Sequence, residues 1–276
     1  MSFVVDNEPI IRFVAFFSIF AAMALFEIRL PRRETTHYNG KPLKEQRWLS
    51  HGLLVVVNSV TLRLIFPLAA VGTAIYAADH GIGLFNGIAM PWYIGAVVAF
   101  FALDFAVWLE HWASHKVPLL WRIHRMHHAD TDLDVTTALR FHPMEILLSM
   151  IWKAAVVVAL GAPVLAVLLF EIVLNGMAMF NHANVKLPLW LDRWMRLVFV
   201  TPDMHRVHHS LHQPETDSNY GFNFSFWDRL FNTYTAQPKD GHEKMLIGLE
   251  YYRDDKPSKI GWSLSLPFRH LPKKDV

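Results

Sequence analysis

Four long apolar stretches decide what this 276-residue chain can fold into. A helix that crosses a bilayer needs about 20 mostly apolar residues. Ile10–Leu30 supplies one such run, Leu53–Ala78 a second and Trp92–Leu109 a third. Met144–Phe180 is long enough for two short helices, with Gly161-Ala162-Pro163 as the turn between them. Hydrophobic residues make up 53% of the chain and concentrate in these blocks, so the expected fold class is all-α. The expectation is one domain over residues 1–276, an integral membrane helical bundle of four to five spans. The polar, mixed sequence after His182 is expected to form a cytoplasmic helical cap with amphipathic surface segments.

The first run ends in Arg29, Arg32 and Arg33, with no small-residue cleavage site, which fits a retained span better than a secretory signal. Arg63 lies inside the second run. A cation is costly at mid-bilayer, so that helix is expected to tilt or to turn Arg63 toward protein. Basic residues set the orientation. They gather after the first run (Arg29 to Arg47), after the third (Lys116 to Arg140) and in the C-terminal part, whereas Asp79–Pro91 holds no Lys or Arg. An external N-terminus places every basic segment, and the C-terminus, in the cytoplasm; in a bacterium the membrane would be the inner one.

Net charge is only +2, which offers no field for nucleic acid. The absence of cysteine excludes disulfides, Cys-ligated iron–sulfur clusters, thiolate haem and Cys-type zinc sites within the chain. Against this stand 16 histidines. "EHWASHK" gives His111 and His115, "HRMHH" gives His124, His127 and His128, and "HRVHH" gives His205, His208 and His209. Spacings of three and four place side chains on one helix face, so each cluster can converge on a point.

Isolated histidines such as His37, His51, His80, His242 and His270 are ordinary surface or hydrogen-bonded core residues. Packing gives no reason to place adjacent histidines twice, and clustered imidazoles repel once protonated. Imidazole is a common ligand for iron, zinc, copper and nickel, and one ion takes four to six ligands. Eight convergent histidines therefore suit two ions, and His182 in "NHANV", at the end of the hairpin, is the natural ninth ligand. His142 and His212 are candidates for supporting roles around them. All these clusters lie on the side assigned to the cytoplasm.

Zinc hydrolases commonly carry H-E-x-x-H, which is absent because Glu110 precedes His111. A metal transporter would need ionisable ligands along the spans, where the sequence offers mainly Arg63 and Asp104. A structural zinc membrane protein would need four ligands, half the number present. Two redox metals at a water–lipid boundary suit oxidation of a lipid by dioxygen.

The ordered strings point further. "DFAVWLEHWASH", with Asp104 seven residues before the first ligand, then "LWRIHRMHHAD", "TALRFHPME", "NHANV" and "MHRVHHS" with "ETDSNYGFNFSFWDRLFNTY" resemble the signature of the fatty acid hydroxylase and sterol desaturase superfamily. The resemblance covers about residues 100–235. Trp112 departs from it, standing where many members have Arg. The resemblance implies a non-haem di-iron oxygenase that hydroxylates or desaturates a lipid C–H bond with O2 and two external electrons. Two iron ions would be held by His111, His115, His124, His127, His128, His182, His205, His208 and His209. Asp104, His142, Asn184 and His212 are the candidates for outer support. Zinc is an expected substitute in the iron sites of a purified sample. No cytochrome b5 domain is fused at either end, so the electron donor is expected to be a separate protein of ferredoxin, cytochrome b5 or reductase type.

Overall fold

The structure, a computed structural model, describes residues 2–38, 41–88 and 90–270. It is helical, and the strands among the described residues are the two-residue pair His37–Tyr38 and Lys41–Pro42. Five segments among the described residues are long and apolar enough to cross a membrane: Glu8–Arg29, Lys44–Asn86, Trp92–Lys116, Pro143–Leu160 and Val164–His182. We label the main helices α1 (Glu8–Arg29), α2 (Lys44–Ile65), α3 (Ala69–Asp79), α4 (Trp92–Lys116), α5 (Pro118–His128), α6 (Pro143–Leu160), α7 (Val164–His182), α8 (Leu189–Met195) and α9 (Pro202–His208).

Proline and glycine punctuate the chain as their backbone chemistry requires. Pro118, Pro143 and Pro202 each occupy the first turn of a helix, where a missing N–H costs nothing. Gly161 closes α6 in the left-handed region at φ 63°, and Pro163 then opens α7. The expected hairpin within Met144–Phe180 is therefore present. Gly83 packs onto its turn so closely that an added Cβ would lie 2.1 Å from the Gly161 nitrogen.

The second span differs from expectation. Its helix begins at Lys44, not Leu53, and breaks between Ile65 and Ala69, where Pro67 interrupts the hydrogen-bond ladder. The early turns exist because Arg47 and His51 are buried against Asp130 and Thr136 of the segment after α5. Arg63 is exposed, so it does not turn toward protein.

α1 packs on α7, α3 on α6 and α7, and α4 on α5, α6 and α7. Leu103, Val167, Phe170 and Met150 anchor the apolar core between these spans. A smaller cluster of Leu54, Met126, Trp262 and Leu266 ties the C-terminal segment to α5. On α8, Trp190 and Trp194 are each 67% exposed while Asp192 is buried against Thr201, a pattern that suits the membrane–water interface.

Candidate metal centre

The histidines come from four elements. The end of α4 carries His111 and His115, α5 carries His124, His127 and His128, α7 ends at His182, and α9 with its C-cap carries His205, His208 and His209. Val117 is extended and Pro118 restarts the helix, so α5 folds back on α4 and turns one set of rings toward the other. All nine are buried.

They sort into two groups. His111, His115, His124, His128 and His208 form one; His127, His182, His205 and His209 form the other. Within each group, one nitrogen per residue lies within 4.8 Å of all the others. The groups adjoin: the His128 and His209 rings are 4.6 Å apart, and those of His127 and His209 4.7 Å. The His205–His209 cluster thus meets the His124–His128 cluster directly.

The second nitrogen explains the orientation of several rings. His111 Nδ1 lies 2.7 Å from the Tyr220 carbonyl, His208 Nδ1 2.7 Å from that of Ser218, His182 Nδ1 2.7 Å from that of Ala178, and His127 Nδ1 3.2 Å from that of Arg140. A carbonyl oxygen only accepts, so each Nδ1 carries the proton and each Nε2 presents a lone pair. One ring uses a carboxylate instead. His124 Nδ1 is 2.5 Å from Glu145 Oε1; His115 Nδ1 has Asp217 Oδ1 nearby at 3.5 Å without a hydrogen bond. Such outer partners fix the tautomer and orient a ligating ring.

This arrangement tests whether metal fits. Nε2 of His127 and Nε2 of His182 are 3.1 Å apart, and both are lone-pair bearing by the tautomers just assigned. Two lone pairs face to face repel unless a cation lies beside both. Neighbouring ligands of an ion at about 2.1 Å are themselves about 3 Å apart. Nε2 of His111, His124, His128 and His208 is buried with no hydrogen-bond partner, an expensive condition that coordination would relieve. Burial and the neighbouring imidazoles hold His127, His128, His205 and His209 well below the usual histidine range. Burial also lowers His208, to about 3. The rings are neutral at pH 7, as ligands must be. The residues fit a pair of metal ions.

A second layer supports the centre. Arg47 is fully buried and makes a bidentate pair with Asp130 at 2.7 and 2.8 Å, with a further bond to Asp134 at 2.6 Å. Burial alone would raise Asp130; Arg47 overrides it and holds the carboxyl well below its usual range. Arg140 donates to the Met126 carbonyl at 2.9 Å and lies 3.2 Å from His51 Nε2. These contacts lock the loop after α5 to α2, and so fix the carbonyl that holds His127.

The four residues expected to give outer support lie elsewhere. Asp104 accepts from the Trp227 indole at 2.7 Å. Asn184 braces the chain after α1 through both backbone groups of Arg33. His142 caps α6, accepting from Met144 N at 3.1 Å, and its other nitrogen meets the Leu264 carbonyl. His212 pairs at the surface with Asp240 at 2.6 Å. His242 is buried rather than solvated, 3.0 Å from Gln237 Oε1. Glu145, Arg47 and Asp130, which the sequence does not single out, make the contacts around the histidine layer.

A cavity of about 300 Å³ reaches from the centre into the span region. His111 and His124 form its head, and Phe16, Val55, Leu62 and Leu174 line its apolar wall. Only the five-histidine group touches it.

A family model for fatty acid hydroxylases matches residues 96–233. The chain belongs to this family. An ornithine lipid hydroxylase of Rhizobium tropici is 29% identical over 82% of this chain and 67% of its own length. The alkylglycerol monooxygenase of Homo sapiens is 29% identical over 63% of this chain, but only 36% of that enzyme. The cholesterol 25-hydroxylase of Homo sapiens is 28% identical over 48% of this chain and 47% of its own length. This chain therefore spans about two thirds of the first relative and well under half of the second. All three are hydroxylases or monooxygenases, which places the chain among oxidoreductases. No solved structure matches it.

Proposed function

We propose that this protein is a membrane-bound non-haem di-iron oxygenase that hydroxylates, or desaturates, a C–H bond of a lipid. The observation that carries the reading is the pairing of two histidine groups, five and four, at the head of a cavity walled by span residues. Family relatives that act on ornithine lipid, alkylglycerol and cholesterol support a membrane lipid as substrate.

A bound pair of iron ions would supply reductive activation of dioxygen, with two electrons from a separate donor protein. The chain's own residues do the rest. His111, His115, His124, His128 and His208 would hold one ion, and His127, His182, His205 and His209 the other. Glu145 keeps the Nδ1 proton on His124 and so keeps its Nε2 free to ligate. The apolar wall orients an acyl chain against the His111–His124 side and excludes bulk water. The positive-inside pattern supports a cytoplasmic location for the histidine layer and the C-terminus.

The test combines metal analysis with lipid mass spectrometry. Purified protein reconstituted with ferrous iron should hold two irons per chain. With a reductant and a cell lipid extract, it should consume oxygen and yield a lipid heavier by one oxygen or lighter by two hydrogens. One metal per chain, or oxygen uptake without a lipid product, would sink this reading.

A further inference from the structure

The wall of the cavity is not apolar throughout. Glu145, Ser149 and Lys153 recur every four residues on α6, and all three line it. At 1.5 Å per residue they form a stripe running about 12 Å from the histidine layer into the span region. Glu110 faces the same space from α4 and accepts a hydrogen bond from Ser149 Oγ at 3.1 Å. Lys153 reaches Glu171 of α7 at 3.3 Å, and Glu171 also pairs with Arg12 of α1 at 3.0 Å.

Ion pairing between helices accounts for Arg12 and Glu171. It leaves much of Lys153 and Glu110 unexplained. An ammonium has three donors, and Glu171 takes one of them. A carboxylate has room for several donors; Glu110 takes one hydrogen bond from Ser149 and has Lys153 as its nearby cation, which already sets the two charges around one space. Ionisable groups at membrane depth are costly and line functional cavities by default. Unfilled hydrogen-bonding capacity beside hydrocarbon adds to that cost.

We propose that the lipid bound here carries a hydroxyl or amide group along its length, and that this group seats on Lys153 and Glu110. The proposal rests on the cavity being the lipid site. The chemistry is complementary: the group accepts from the Lys153 ammonium and donates to the Glu110 carboxylate. Ser149, which holds Glu110, lies one helical turn from Lys153, a gap that one bridging group can span. The stripe then acts as a ruler. It sets the polar group between the Ser149 and Lys153 levels, roughly 6–12 Å along α6 from the Glu145–His124 contact. A plain hydrocarbon chain would leave the stripe unpaired.

The test uses zinc-loaded full-length protein, so that binding is read without turnover. An equimolar mixture of hexadecan-1-ol and hexadecane competes for the protein, and native mass spectrometry counts each complex. The alcohol should win by about tenfold, the usual worth of a hydrogen bond to a charged group. In Lys153→Met the preference should fall close to one. Glu171 keeps Arg12 as a partner in that variant, which favours folding. Ser149→Ala is the milder second variant and should lose part of the preference, while Leu148→Ala on the exposed face should keep it all. Equal binding of the two probes by the unmodified protein would overturn the proposal, because water alone would then satisfy the stripe. A preference that survives both Lys153→Met and Ser149→Ala would overturn it too. Failure of the iron and oxygen assays with the preference intact would instead sink the oxygenase reading alone.

Discussion

The two histidine groups differ in what stands behind them. The five-histidine group touches the cavity and contains His124, which draws on the Glu145 carboxylate, while its His111 and His208 rest on the carbonyls of Tyr220 and Ser218. The four-histidine group lies away from the cavity, and the outer partners of His127 and His182 are backbone carbonyls, those of Arg140 and Ala178. A carboxylate partner makes a ligating ring more basic and ties it to a group that can be mutated. A carbonyl partner ties the ring to the fold itself. The cavity-facing group is thus tunable at His124, while the inner group is an anchor whose geometry depends on the Arg47–Asp130 layer.

Removing a ligand should erase this difference. His208→Ala takes a nitrogen from the five-histidine group and His182→Ala one from the inner group. Both should lose more than the roughly 100-fold in metal affinity or activity that removal of an outer partner costs. Metal content per chain and product yield should fall together, while both variants stay membrane-inserted, since insertion depends on the apolar spans. Full metal and full activity in His208→Ala would remove that residue from the ligand set.

The anchor can be attacked through its support. Arg47→Met leaves Asp130 buried without its main counter-charge, and breaking a buried pair costs about 3–5 kcal/mol. Thermal unfolding in detergent should report this as a large fall in midpoint. If the stability loss came with unchanged metal content, the layer would be structural only, and the contrast between the groups would be weaker.

Glu145→Gln strikes the tunable side alone. An amide can still meet His124 Nδ1 but carries no charge, so a loss of about 10–100-fold in affinity or activity is expected with little change in stability. An equal loss from both metal positions would break the comparison.

Stripping the metal should expose the cost of the buried rings. Burial depresses His208 to about 3, well under the value of an unfolded histidine near 6.5. The unfolded chain therefore takes up protons first. Stability of the metal-free protein should be full above about pH 6.5 and be lost as pH falls from there toward 3. Thermal midpoints across that range check it, and a flat profile would mean the rings are hydrated without metal.

The histidine clusters were legible because repeated H-x-x-H-H has no packing purpose, and the α6–α7 hairpin because Gly161 and Pro163 leave the backbone little choice. The outer partners were not. A carbonyl at Tyr220 or Arg140 leaves no mark in a sequence, since every residue has one. Glu145 does have side-chain chemistry, but it lies in a segment whose approach to His124 is set by tertiary packing. The same holds for the start of α2, where burial of Arg47 and His51 overrides the polar look of the sequence.

His142 and His212 give the smallest effects and the finest test of position against spacing. Both sit near the signature strings, and sequence alone offered them equal standing. His142 is buried and caps α6 with its Nδ1, so His142→Ala removes a helix cap worth about 1 kcal/mol. Because α6 carries Glu145 two residues beyond the helix start, fraying there should also loosen the His124 contact and trim activity slightly. His212 pairs with Asp240 where both are exposed, and such pairs contribute about 0–1 kcal/mol. His212→Ala should leave midpoint, metal content and product yield unchanged. A clear loss of metal in His212→Ala, with His142→Ala normal, would mean that chain proximity to the ligands matters more than the contacts described, and the carbonyl-and-carboxylate account of the two groups would have to be redrawn.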